Sequence, residues 1–261
     1  MPDVVASIFN MINDWGFFLP KFDIHYVEKG TDIQWVINCG GTRAYLVRVG
    51  DKLGTNFEDE CADSHFMVNR VVTALLLGGL GLFKANSVGR IQFNDIGSNE
   101  LNFSTHLDLR DFEEKEVSQK IESLTDWHKF ICLNDLFRRA ADDAYYALLN
   151  PVESIFYMYR GMEWLLKAGN IGWRELADDI GVTFKQIKEF KRMANVELGQ
   201  RHGIESARKM RGQFHESGML VADFVYGLCK VRKRVDSSYT VPTPTDVSKI
   251  VMKALPVVPY P

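Results

Sequence analysis

The sequence predicts an α+β fold, with an N-terminal antiparallel β meander accompanied by helices and a C-terminal α-helical bundle. Three observations carry this. Between Phe22 and Asp51, apolar residues recur at every second position in three short runs, each closed by a glycine-containing turn. From about Asp111 to Val235 the period lengthens to that of a helix. Residues 237–261 then hold five of the eight prolines. The domains expected are an α+β domain over 1–110, a helical domain over 111–236 and a Pro-rich tail over 237–261.

Each element follows from its local pattern. In residues 3–16, Val4, Ile8, Phe9, Ile12 and Trp15 fall at helical spacing, so a short amphipathic helix is expected. "FDIHYVEKG", "DIQWVINCGG" and "RAYLVRVGD" are rich in β-branched and aromatic residues and read as three strands of a meander. "NFEDECADSHFMVNRVVTALLL" reads as a helix with an acidic start, its Phe66, Val68, Val72 and Leu75–Leu77 expected against the sheet. "GRIQFND" and "NELNFSTHLDL" read as two further strands. Helices are then expected over 113–124, 126–150, 152–168, 172–180, 183–196 and 204–234. Pro151 fits a first helical position, and Gly169-Asn170 and Gly181 fit C-caps. The tail is expected to be extended, apart from a short helix over 246–254.

Composition bounds the function. With 261 residues, 46% hydrophobic and 25% charged, the chain can bury a core without disulfides or metals. A formal net charge of −3 leaves any nucleic-acid site to a local patch. Cys39, Cys61, Cys132 and Cys229 lie far apart and form no CxxC pair, which suits a reducing compartment. The N-terminal stretch lacks a basic n-region, and "VVTALLLGGLGLF" is too short to span a bilayer. A cytoplasmic protein without a membrane partner is expected. P-loop, GxGxxG and GxSxG elements are absent from the sequence, so no cofactor is expected.

The chemistry concentrates in "RHGIESARKMRGQFH", Arg201 to His215. Ala207, Met210, Phe214, Ser217, Val221, Phe224, Leu228 and Val231 are spaced alternately by three and four, the packing stripe of a helix. At about 100° per residue, Arg208, Arg211 and His215 line one edge of that stripe. A histidine near neutral pKa moves protons, and an arginine fork holds charge developing on a phosphate. With a ribose 2′-OH as nucleophile no metal is needed, which makes RNA the substrate. The alternative is an ordinary solvated helix face. Asn195, Arg201 and His202, in "ANVELGQRHG", are candidates for holding substrate, or else complement a helix end.

The segments "LLNPVESIFYMYRGMEWLLKAG", "WRELADDIGV", "IKEFKRMANVELGQRH" and "ARKMRGQFHESG" resemble bacterial HEPN-like helical domains, the higher-eukaryote and prokaryote nucleotide-binding family, over about residues 130–235. Members carry an Arg, a spacer of four to six residues and a His on one helix, and the ribonuclease members pair two such motifs across a dimer. Arg208 and His215 stand at the long end of that spacing, and Lys209 replaces the polar Asn or Asp that often follows the Arg. The resemblance implies a metal-independent RNA endonuclease acting as a homodimer in bacterial defence or stress response. Arg208, Arg211 and His215 would then be catalytic.

Other patterns point elsewhere. In "ELADDIGVTFKQIKEFK", Ala177, Gly181 and Ile187 take the small–turn–buried spacing of a helix-turn-helix, with Thr183, Lys185, Gln186 and Lys188 positioned to meet a DNA groove. Any tight αα corner packs the same way. Arg160 and Glu163, at i,i+3 in "YRGMEW", are expected to form a half-buried ion pair. Cys61 and His65, at i,i+4, offer two metal ligands without a third, so no metal site is expected. "KVRKR", Lys230 to Arg234, either complements a helix dipole or extends a phosphate track. A further reading is a non-catalytic interaction module, its helical face and tail binding a protein partner.

Overall fold

The computed structural model describes residues 3–12, 19–28, 30–50, 57–93, 114–150, 153–199 and 221–254. It is α+β, and the chain divides into Met1–Lys129 and Phe130–Pro261.

The first unit is built on five antiparallel strands in the order β2-β3-β4-β1-β5: β1 Asp3–Ile12, β2 Leu19–Val27, β3 Gln34–Gly41, β4 Arg43–Gly50 and β5 Lys84–Phe93. The three-stranded meander is β2–β3–β4. Residues 3–12, read as a helix from their spacing, are instead the strand between β4 and β5. The reason is that Val5, Ala6 and Ser7 are all buried, so this strand is covered on both faces and loses the strict alternation of a half-exposed one. The expected strand over 99–109 lies outside the described residues.

Register assembles one apolar layer across the sheet. Phe22 and Ile24 pair with Cys39 and Ile37, Ile37 with Leu46, and Leu46 with Ser7. Helix α1, Phe57–Leu77, covers this layer, with Ser64 hydrogen-bonded to Ser7 at 2.8 Å and His65 edge-on to Phe9. Val68, Val71, Val72 and Leu75 are buried, while Phe66 stands 57% exposed, contrary to its expected inward role. Helix α2, Glu114–Leu133, runs without interruption through 125, where a break was expected; the chain instead breaks at Asn134. Asn134 sits ahead of Asp135 as a helix start, a boundary written without Gly or Pro.

The second unit is helical: α3 Asp135–Leu149, α4 Ser154–Gly169, α5 Trp173–Ile180, α6 Phe184–Gly199, α7 Val221–Val235 and α8 Pro244–Ala254. Pro151 lies outside the described residues, and α4 begins at Ser154. Asn170 and Gly181 end α4 and α5 in the left-handed region, as expected of C-caps. Of the predicted stripe, Phe224, Leu228 and Val231 are buried on α7 and Val221 is half-buried, while Ala207 to Ser217 lie outside the described residues. Gly161 marks where three helices meet: a Cβ there would lie 2.2 Å from the Phe224 ring and 3.0 Å from Asp143 Cβ. The short helix expected over 246–254 is present as α8, two residues longer at its start, and it packs on α7 with Val247 and Val251 buried.

Candidate nucleic-acid interface

Arg201, His202, Arg208, Arg211 and His215 lie outside the described residues. Asn195 lies on α6, in its second half. Helix α7 is described from Val221, six positions after His215.

The helix-turn-helix residues are brought together. Gly181, at φ 74°, lets α5 stop and the chain turn within three residues, a conformation that costs glycine little and any other residue more. Ala177 and Ile187 are buried on either side of the turn, with Ile180 and Phe190 completing the corner. Thr183 and Gln186 form a reciprocal capping box: Gln186 Oε1 accepts from the Thr183 amide at 2.8 Å, and the Gln186 amide donates to Thr183 Oγ1 at 3.2 Å. These two side chains secure the start of α6 and hold its first turn in place.

The first half of α6 is basic, whereas α5 carries Glu175, Asp178 and Asp179 beside Arg174. From Phe184 to Arg192, four cationic side chains stand against one acid, Glu189. Lys185 and Lys188 are exposed. Lys188 and Arg174 lie 5.1 and 5.3 Å from the Phe184 ring centre, and Lys191 lies 4.5 Å from that of Trp173. Arg192 donates to Glu189, which holds that carboxylate below its usual range. The rings steer the lysine stems without neutralising their charge.

Other predicted contacts resolve differently. Arg160 does not pair with Glu163. It crosses to α3 and donates from Nε and Nη2 to the buried carboxylate of Asp143. Burial raises the Asp143 pKa and the Arg160 fork opposes that rise. A fork-to-carboxylate bond to a buried anion outcompetes an i,i+3 contact with exposed Glu163. The "KVRKR" run is largely committed to structure. Arg232 is buried between the rings of Phe130 and Tyr239, at 4.5 and 4.0 Å from their centres, and Arg234 donates to both Asp179 oxygens at 2.9 and 3.0 Å. A phosphate track along this run is therefore not available to Arg232 or Arg234.

Among the described residues, no group of three or more His, Cys, Asp or Glu side chains converges as a metal ligand set, and no helix is long and apolar enough to cross a membrane. Burial pushes the Cys39 thiol well above its ordinary value and the Cys229 thiol up to about 11, so neither is a thiolate nucleophile at neutral pH. In the first unit a cleft of about 320 Å³ is lined by Tyr26, Trp35, Met67 and Arg70, among others. Two carboxylates in it are engaged, Glu28 by the Trp35 indole N–H at 2.6 Å and Asp63 by Arg48 at 2.8 Å. No family model, curated protein or solved structure matches the chain.

Proposed function

We propose that this is a nucleic-acid-associated protein that holds the polyanion on the α5–turn–α6 corner. The observation that carries the reading is the anchored corner itself: Ala177 and Ile187 buried inside, Gly181 turning the chain, and Lys185 and Lys188 exposed on the first turns of α6. A short helix–turn–helix places the start of its second helix in a major groove, with basic side chains on the phosphates to either side. Titrating a labelled duplex by fluorescence anisotropy tests this. Lys185→Ala with Lys188→Ala is expected to weaken binding at least several-fold, while duplex affinity equal to that of the parent sinks the reading.

A second reading is RNA cleavage by Arg208, Arg211 and His215, with Asn195, Arg201 and His202 holding substrate in a symmetric dimer. Two things support it: the resemblance to HEPN-like domains, and the buried positions of α7, which keep the three-four period of the stripe beginning at Ala207. On that period Arg208, Arg211 and His215 fall beside the packing positions and not on them. Purified protein would then cut RNA in the presence of a chelator, and His215→Ala or Arg208→Ala would abolish cutting without altering the melting temperature. Equal cutting by His215→Ala and the parent removes this reading and leaves duplex binding by α6 untouched.

A further inference from the structure

Three cations gather where α5 and α6 begin. Arg174, on the first turn of α5, and Lys188, on the second turn of α6, lean on the same Phe184 ring, 5.3 and 5.1 Å from its centre. Lys185 stands three positions before Lys188 and shares its side of α6. All three are exposed. Elsewhere in the helical unit, Arg139, Arg160 and Arg234 are held by Asp135, Asp143 and Asp179. Among the described residues, Arg174, Lys185 and Lys188 form no ion pair. The acids near them are engaged or passed over. Glu175 accepts from the Gly172 amide at 2.8 Å, and Glu189 is taken by Arg192. Asp178 lies one turn along α5 from Arg174, whose guanidinium turns to the ring instead. Like charges collected in this way repel one another, and an anion placed between them offsets the repulsion.

The groups on α6 that could tell one base from another are committed inside the helix. Adenine and cytosine present donors in the major groove, so reading them requires an acceptor side chain. Thr183, Gln186 and Glu189 are the acceptors on the first turns of α6. Gln186 Oε1 already accepts from the Thr183 amide and the Thr183 hydroxyl, both at 2.8 Å, and Thr183 Oγ1 accepts from the Gln186 amide at 3.2 Å. Arg192 donates from Nε to both Glu189 oxygens at 3.1 and 3.0 Å, so the fork that would suit guanine and the carboxylate that would suit cytosine occupy each other. What these turns present outward is lysine, a point charge with rotatable donors that meets a phosphate from many directions.

We propose that Arg174, Lys185 and Lys188 form a phosphate clamp by which the corner grips B-form DNA irrespective of base sequence. The proposal rests on the reading that the α5–α6 corner holds a duplex, and it names the part of the duplex that is recognised. B-form DNA is the duplex whose major groove admits a helix; that of A-form RNA is too narrow.

The test places the full chain on labelled DNA duplexes of equal length and unrelated sequence in fluorescence anisotropy. Affinities are expected to agree within about twofold, whereas a protein that reads bases loses about fivefold or more for each changed base pair. Arg174→Ala is expected to weaken every duplex alike and to flatten the slope of log Kobs against log salt by about one. Arg174 is exposed, so this variant is expected to melt with the parent. Arg174→Lys is expected to restore the slope, because a phosphate clamp uses the charge and not the fork. Affinities spread over more than about tenfold, or a motif enriched from a random duplex library, overturn sequence independence while leaving duplex binding by α6 in place. A slope unchanged in Arg174→Ala overturns the clamp. Failure of every duplex to bind removes both this proposal and the reading beneath it.

Discussion

Single residues set the sharpest constraints. Gly161 has no room for a Cβ between α4 and the Phe224 ring of α7, so Gly161→Ala must push α7 away or strain the ring. A loss of about 1–3 kcal/mol is expected in denaturant unfolding, and an unchanged midpoint would mean that the two helices approach less closely than described. His128 is buried, and burial, with the Arg70 charge, lowers its pKa to about 4 from an ordinary 6.5. Between those values the unfolded chain binds a proton that the folded chain refuses. Stability is therefore full above pH 6.5 and falls as pH drops toward 4, by up to about 3 kcal/mol at the lower end. Urea midpoints measured from pH 7.5 to 4 check this, and the histidine's share should vanish in His128→Gln. Arg160 shows what single residues conceal in sequence. Its local partner at i,i+3 was legible, but its actual partner stands seventeen positions earlier and is brought near only by packing.

Elements were legible where period and punctuation agreed. Strands β2 to β4 alternate on one covered face and end in glycine turns, so their residues announce them. Strand β1 does not: Val4, Ile8, Phe9 and Ile12 happen to fit a helix, and burial on both faces removes the alternation that would have exposed the error. The α2–α3 break at Asn134 was missed because the chain keeps helix-forming residues on both sides. The α5–turn–α6 corner was readable because its three diagnostic positions are local. Its stability depends in part on the capping box, so Thr183→Ala should cost about 1 kcal/mol. Fraying of the first turn, which carries Lys185, should weaken duplex binding in parallel. Helix α8 makes a similar claim at its own scale. Truncation after Asp236 removes buried Val247 and Val251 and uncovers the Tyr239 side of Arg232. A loss of roughly 3 kcal/mol or more is expected from the two valines, visible as a lower melting temperature. A truncated chain as stable as the parent would show that α8 is only loosely attached.

For the molecule as a whole, the sequence told more about architecture than about use. The period changes near Asp111 in the sequence, whereas the structure divides between Lys129 and Phe130, inside α2. The contacts between α3 and α4 were invisible because they pair residues from two helices, and only the antiparallel register aligns Arg139 with Trp164 and Tyr146 with Tyr157. Exposed lysines on an anchored helix start are proposed to hold a polyanion, and the salt dependence of duplex affinity measures this. Each lysine on a phosphate contributes close to one unit to the slope of log Kobs against log salt. Lys185→Ala with Lys188→Ala should therefore flatten that slope by about two, whereas a slope identical to that of the parent would show that neither lysine meets a phosphate.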